Sequence, residues 1–317
     1  MSLIRSVALF AIIGVVVAAI SPANSQPAPA ATVRLGVIPS IGAALAYIAQ
    51  ENGYFQKHNV NVELVPMNSG SAIAEAIAGG SLDAGFSDIV SIANARARGL
   101  PFEYIAAGIL NTPAFPQGGL IVRADSQIQN GKALGGQVVA VNALNSISSL
   151  EAQVWIDATG GDSKTVKFIE APLPQMPVAV AQGTVQAAVA GEPIFAMAVA
   201  RGDLRVVRFT KTGIAPTFML NGWFAESDWV DKNRAVAAQL AAAMHDAAVW
   251  ANANRTGTER VLVNSLKLPP AIAQSLVAPP FYGDALRATD LQPIIDVAVR
   301  YGAIQKPLRA QDLIARF

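Results

Sequence analysis

The stretch from Val33 to Asp88, VRLGVIPSIGAALAYIAQENGYFQKHNVNVELVPMNSGSAIAEAIAGGSLDAGFSD, decides how the chain folds. Val33–Ile38 is a short apolar run with β-branched residues that stops at Pro39, as a buried strand does. Ala43–Asn52 follows, with Ala44, Leu45, Ile48 and Ala49 at helical spacing, and Gly53 ends it. Val60–Met67 alternates Val62 and Leu64 with polar residues, the period of a strand. Ser71–Ala78 is an Ala/Ile helix closed by Gly79–Gly80, and Ala84–Ser87 is a third short strand. Strand, helix, strand in alternation predicts a parallel sheet with right-handed crossovers.

Outward from this stretch the pattern continues. A helix over Ile89–Arg98 and a strand over Phe102–Ile109 complete the first series. A second series repeats it with strands at Leu120–Arg123, Val138–Asn142, Val166–Ile169, Ala187–Ala190 and Arg205–Phe209. Its helices are Ser146–Thr159, with Leu150, Val154 and Trp155 on one face, Gln175–Gly183 and Phe195–Arg201. The tail differs: a strand-like Met219–Ala225 leads into one long Ala-rich helix over Val230–Ala253, then short helices broken at Pro269–Pro270 and Pro279–Pro280. A tail with no new sheet is expected to return to the first lobe. The predicted organisation is a signal peptide over 1–25, a discontinuous first lobe over 26–115 plus 222–317, and a second lobe over 116–221. The two crossings fall near Thr112–Gly119 and Gly213–Gly222, where Pro and Gly cluster, and would form a hinge.

The N-terminus carries an export signature. Arg5 supplies a positive start, Val7–Ile20 an almost unbroken apolar run, and Ala23 and Ser25 the small residues a signal peptidase reads. Cleavage after Ser25 would leave Gln26 at the start of a Pro/Ala-rich leader, and a periplasmic location follows. The apolar run is short for a membrane anchor, and no later segment is long and apolar enough to cross a bilayer. Composition excludes other classes. With 52% hydrophobic residues, 14% charged residues and a formal net charge of +1, the chain has no basic surplus for nucleic acid. Cysteine is absent, which removes disulfides, thiolate metal sites and thiol nucleophiles. The two histidines, His58 and His245, lie in polar surroundings without partners at ligand spacing, so they read as surface residues rather than metal ligands.

Two segments carry a family likeness: Ala46-Tyr47-Ile48-Ala49-Gln50-Glu51-Asn52-Gly53-Tyr54-Phe55 with Asn61-Val62-Glu63-Leu64, and Glu75-Ala76-Ile77-Ala78-Gly79-Gly80-Ser81-Leu82-Asp83-Ala84-Gly85-Phe86. Gly119–Arg123 with Asp125-Ser126, Gly136–Val141 and Ala190-Gly191-Glu192-Pro193 follow in order. The ordered set resembles the nitrate/sulfonate/taurine-type periplasmic binding proteins of ABC importers. The resemblance covers essentially the whole mature chain and rests on scaffold residues: Gly53 as a left-handed helix stop, Tyr54 and Phe55 as core packing, Gly79–Gly80 and Asp83 as a turn. It implies an α/β, two-lobed, type II binding-protein fold, a small-molecule ligand, an inner-membrane ABC permease as partner, a monomer, and neither cofactor nor catalytic residue.

In an open parallel sheet, ligands sit at the carboxyl ends of the strands, beside helix N-termini. The candidate binding residues are therefore Ser40, Ile41 and Gly42, with Pro39 before them; Ser69, Gly70 and Ser71 after Asn68; Ser87 and Asp88; Asn142, Asn145 and Ser146; Leu173 within Pro172–Met176; and Glu192. The unpaired N–H groups there suit a carboxylate or sulfonate. Ser40, Ser69, Ser71 and Ser146 serve equally well as helix caps. No Arg or Lys falls in these loops, and Arg96 and Arg123 read as lobe-surface or hinge residues. Asp88 and Glu192 could meet an amine, or could be a cap and a structural carboxylate. Phe115 and Trp223, at the crossings, could stack on a planar ligand. The expected ligand is a neutral or amine-bearing organic molecule, with any acidic group held by helix ends. Two other functions stay open. One is a periplasmic sensor for a receptor. The other, implied by the same resemblance, is an enzyme of pyrimidine or thiamine-precursor metabolism, for which no Ser-His-Asp set, phosphate-cradling glycine loop or metal cluster is visible.

Overall fold

A computed structural model describes residues 31–115, 118–209, 214–276 and 280–317. The signal segment, its cleavage point after Ser25 and part of each crossing lie outside the described residues. The strands are β1 (Ala31–Val37), β2 (Val60–Pro66), β3 (Ala84–Asp88), β4 (Phe102–Ala107), β5 (Leu110–Asn111), β6 (Gly119–Arg123), β7 (Val138–Val141), β8 (Lys167–Glu170), β9 (Ala187–Ala190), β10 (Leu204–Arg208), β11 (Phe218–Met219) and β12 (Asn221–Glu226). The helices are α1 (Ala44–Glu51), α2 (Tyr54–Lys57), α3 (Gly70–Ala78), α4 (Ile89–Ala97), α5 (Ile147–Ala158), α6 (Met176–Ala181), α7 (Ile194–Ala200), α8 (Ser227–Lys232), α9 (Arg234–Ala253), α10 (Arg255–Leu266), α11 (Pro270–Ser275) and α12 (Ala288–Arg300).

Two five-stranded sheets carry the same plan. The first runs β2-β1-β3-β12-β4 and the second β8-β7-β9-β6-β10. In each, β1 or β7 pairs in parallel with both neighbours, and one strand runs against the rest: β12 in the first, β6 in the second. Leu120–Arg123 and Met219–Ala225 gave no sign of this reversal, because antiparallel and parallel buried strands share one apolar pattern. The reversed strand is the one the chain adds on arriving from the other sheet. Between the sheets, β5 and β11 form a two-stranded antiparallel ribbon, Phe218 opposite Asn111 and Met219 opposite Leu110.

The second sheet is buried on both faces, and its residues alternate as a pleated strand requires. Leu120, Val122, Val139, Val141, Ala187 and Val189 join one core with Ala152, Trp155 and Ile156 of α5. Ile121, Ala140, Ala188 and Ala190 join the other with Met176 and Val180 of α6 and Ile194 and Phe195 of α7. The first sheet packs with α1, α4, α9 and α12 in one large core. That core also takes in Leu150 and Val154 of α5 and Ala196 of α7. Helix α5 therefore divides its apolar residues. Leu150 and Val154 face the first core, whereas Trp155 faces the second and stacks near Phe209, ring centroids 5.1 Å apart. The sequence reading put all three on one face; positions 150 and 154 do share a stripe, but 155 lies about 100° around the helix.

The tail returns to the first sheet. Helix α9 packs on α1, α2 and β4, and α12 on α4. The expected single helix over Val230–Ala253 is two, broken at Asn233, whose φ of −126° and ψ of 35° leave the helical region. Its side chain donates to the Trp229 carbonyl at 2.9 Å, and so competes with the helical backbone. Gly53 sits at φ 71° between α1 and α2, the left-handed stop that its position after Asn52 implied. Asp83 turns the chain into β3 by accepting from Arg34: backbone N at 2.8 Å, Nε at 3.0 Å and, through its other oxygen, Nη2 at 2.8 Å. His58 is not a plain surface residue: its Nε2 lies 2.8 Å from Asp246 on α9, as does Lys57 Nζ at 2.7 Å, which ties α2 to α9.

Candidate functional site

The strand-end loops of both sheets converge on a cavity of about 140 Å³. From the first sheet come Ile38 to Gly42 after β1, Gly70 at the start of α3, Asp88 at the end of β3, Ile109 beside the ribbon, and Leu220 and Asn221. From the second come Gly118, Asn142 after β7, Ile147, Ser148 and Glu151 on α5, Leu173 after β8, and Val189 to Glu192 at the end of β9. At ~10–15 Å³ per water-sized sphere the cavity holds roughly ten such spheres, room for a small solute. Isoleucine, leucine, valine and Phe86 form the apolar part of the wall, and Ser, Asn, Asp and Glu side chains interrupt it, the general pattern of a small-molecule site.

Eight of the residues singled out from the sequence meet there: Ser40, Ile41, Gly42, Gly70, Asp88, Asn142, Leu173 and Glu192. The other six lie outside the lining. Ser69 is the N-cap of α3, accepting from Ala72 N at 3.2 Å, and Ser71 Oγ sits 3.0 Å from Ser69 Oγ. Ser87 is fully buried, its hydroxyl without a hydrogen-bond partner. Ser146 is buried too and donates to the Ala143 carbonyl at 2.6 Å. Asn145 takes a positive φ of 52° in the turn before α5. Phe115 makes a bridge with Thr112 in the crossing. Trp223 is not available to stack on a ligand. It is 0% exposed in β12 and packs on Phe86, ring centroids 5.0 Å apart. Arg123 pairs with Asp125 at 2.7 Å, and Arg96 with Glu103 at 3.6 Å, both away from the cavity. Among the described residues no group of three His, Asp or Glu could hold a metal.

The carboxylates differ in what they already hold. Glu192 Oε1 is 3.0 Å from Arg208 Nη2, and its Oε2 accepts from Ala196 N at 3.1 Å, so both oxygens have partners inside the second lobe. Asp88 caps α4, accepting from Ser91 N at 2.9 Å and Ser91 Oγ at 2.7 Å. It also reaches across the cavity, where Oδ1 accepts from Ile147 N at 2.9 Å. One carboxylate thus meets the N-termini of two helices, α4 and α5, on two different sheets, where partial positive charge gathers. Burial still raises the Asp88 carboxyl, against these hydrogen bonds. A second link joins the sheets, Ile41 N donating to the Glu192 carbonyl at 3.2 Å.

Glu151 was not singled out from the sequence. It is 4% exposed on α5, lines the cavity, and its Oε1 has no hydrogen-bond partner. Burial, with the Asp88 charge adding to it, pushes its carboxyl up to about 8. Gly118 makes room for the group, since a Cβ there would lie 2.5 Å from Oε2. The signal was present: Ile147, Ser148 and Glu151 share one helical face three and four residues apart, so a cleft-facing start to the helix carries Glu151 with it. Asn221 was also missed; its Oδ1 accepts from Ile109 N at 2.9 Å and fixes the ribbon beside the cavity.

Comparison with solved structures places this architecture. The alkanesulfonate-binding protein SsuA of Xanthomonas axonopodis pv. citri, bound to MOPS, is 18% identical with a TM-score of 0.77, over 91% of this chain and 99% of that one. The periplasmic aliphatic sulphonate binding protein SsuA of Escherichia coli is 20% identical with a TM-score of 0.72, over 89% and 97%. The periplasmic nitrate-binding protein NrtA of Synechocystis PCC 6803 is 17% identical with a TM-score of 0.74, over 88% and 84%. At these identities the likeness establishes the fold, that of periplasmic binding proteins, as the sequence motifs implied. Comparison with curated protein sequences returns no match. The profile of one family, NMT1/THI5 like, matches residues 41–256, more than half of the chain, and the protein belongs to that family.

Proposed function

We propose that this protein is the solute-binding component of an ABC importer. It captures a small organic molecule between its lobes and delivers it to a permease in the inner membrane. The observation that carries the reading is the cavity itself: strand-end loops of two separate sheets enclose it, and a two-stranded ribbon joins those sheets. Residues 26–115 and 222–317 act as one lobe and 116–221 as the other. The lining groups Ser40, Ile41, Gly42, Gly70, Asp88, Asn142, Leu173 and Glu192, together with Ser148, Glu151 and Asn221, form the binding surface. The fold of the sulfonate- and nitrate-binding neighbours supports the role, as does the export signature of residues 1–25. Among the described residues no helix is long and apolar enough to cross a membrane. The protein works in the periplasm as a monomer after cleavage behind Ser25.

Native mass spectrometry of protein exported by its own host tests this directly. The expected result is a mature monomer beginning at Gln26 that carries a co-purified small molecule. A strain lacking the gene should fail to take up that same labelled molecule. Protein that never retains or binds a solute from a broad panel, or a deletion strain with undiminished uptake, overturns the reading.

A further inference from the structure

Of the three acidic side chains in the cavity wall, Glu192 is paired with an arginine, whereas Asp88 and Glu151 have no base beside them. Asp88 enters from the first lobe and Glu151 from the second. Among the described lining residues there is no Lys, Arg or His. A cation near the site, Arg208, spends a guanidinium nitrogen on Glu192 at 3.0 Å and lies over the Phe195 ring at 5.0 Å, behind the lining. The sulfonates and nitrate named for the structural neighbours are anions. An anion placed here would meet the carboxyls of Asp88, Glu151 and Glu192, with the nearby Arg208 already paired to Glu192, and burying an unpaired charge is costly.

Glu151 makes the observation specific. A carboxyl oxygen that is buried and unpartnered costs free energy unless something completes it. A structural carboxylate in a core usually has its partners built in, as Glu192 and Asp88 do. Glu151 lines the cavity, so a donor carried by a solute there is a partner open to its carboxyl. Among the described residues the elements around it supply no donor, and β9 beside α5 contributes only Ala and Val. Ser40 Oγ, also in the lining, is another buried hydroxyl with no partner, and it can accept as well as donate. The ionised Glu151 carboxylate thus calls for an N–H donor, and Ser40 can serve either role, on a body that fits between apolar walls.

We propose that the cleft takes a compact organic cation rich in N–H donors, an alkylamine or an amidine, and that Glu151 receives its charged group while Asp88 adds its field from the other lobe. This deepens the solute-binding reading and rests on it. Of the charged groups facing Glu151, Asp88 on β3 acts on it directly, while the Glu192–Arg208 pair between β9 and β10 is internally neutralised. In the empty protein Glu151 holds a proton at neutral pH, since burial and Asp88 raise its carboxyl to about 8. A bound cation favours the ionised form, so binding should release a proton, and affinity should rise with pH up to about 8 and then level off.

The test uses the mature full-length protein and matched probes: n-butylammonium and benzamidinium as cations, butanesulfonate and benzoate as anions of similar shape. Thermal shift ranks them. Calorimetry at pH 6 and 8, in two buffers of different ionisation enthalpy, counts the protons released. The proposal expects cation binding at least tenfold tighter at pH 8 than at pH 6, with no shift from the anions. Glu151→Gln keeps the shape and removes the charge; it should cut cation affinity tenfold or more and abolish both the pH dependence and the proton release. Asp88→Asn should lower the affinity less and keep the proton release. Anions stabilising the protein better than cations, or cations binding Glu151→Gln as well as wild type, would overturn the ligand class while leaving the solute-binding role intact. If none of the four probes binds, and the co-purified molecule found by native mass spectrometry is an anion or lacks N–H groups, the ligand class is likewise rejected. A protein that binds nothing at all rejects the function instead.

Discussion

Glu151 sets a pH dependence that can be measured without any ligand. Its carboxyl stands at about 8 in the folded protein against an ordinary 4.5. A raised carboxyl means that the folded state binds more protons than the unfolded one. Its contribution to stability is complete below about 4.5 and is lost as pH rises through about 8. Thermal unfolding of the empty protein should therefore show a midpoint that falls between pH 5 and 8, and Glu151→Gln should flatten that fall. An unchanged slope in the variant would show that another group carries it. The residue scale is also where the sequence was least informative. Asp88 and Glu192 stood out because they close strands, yet their oxygens turn out to be held by Ser91, Ile147, Ala196 and Arg208. Which carboxylate keeps an oxygen free depends on donors from distant elements, and no local pattern records that.

Helix α5 is the element on which both lobes depend. Its Trp155 side anchors it in the second core, and its Leu150 and Val154 side rests in the first. Truncating either side leaves a hole, larger for Trp than for Leu, with a cost of about 2–5 kcal/mol for Leu and about 3–5 kcal/mol for Trp. The consequences should differ. Trp155→Ala is expected to lower the unfolding midpoint, because it opens the interior of one lobe. Leu150→Ala is expected to weaken the contact between lobes, so that small-angle scattering gives a larger radius of gyration while each lobe keeps its circular dichroism. Equal effects of the two substitutions on the radius would contradict this division of faces. Most elements were legible from spacing alone: the strands, the glycine stops at Gly53 and Gly80, and the helical tail returning to the first sheet. The break at Asn233 and the divided face of α5 were not. The first hangs on one side chain bonding to Trp229, and the second on which core each stripe meets.

At the scale of the whole molecule, the ribbon of β5 and β11 joins two bodies whose polar contacts among the described residues include Asp88 with Ile147, Ile41 with Glu192 and Tyr301 with Asp157. Solute binding should tighten the contacts at the cavity first. Amide hydrogen exchange is expected to slow at Ile147 and Ile41 when a solute is added, with little change inside β1 and β7, which are already paired on both sides. Uniform protection across both sheets would argue for global stabilisation rather than closure. The two-lobed plan was readable because the strand–helix grammar occurs twice; the reversal of β6 and β12 was not, since direction leaves no mark on an apolar run. That reversal bears on how the chain is built. In the first sheet β12 lies between β3 and β4, so residues 102–107 have no neighbouring strand until residues 221–226 have been synthesised. The amino-terminal lobe cannot finish folding as it leaves the ribosome, and must wait for nearly everything that follows. Such late, long-range closure is slow, and it leaves the young chain loose for longer than a chain whose domains close one after another.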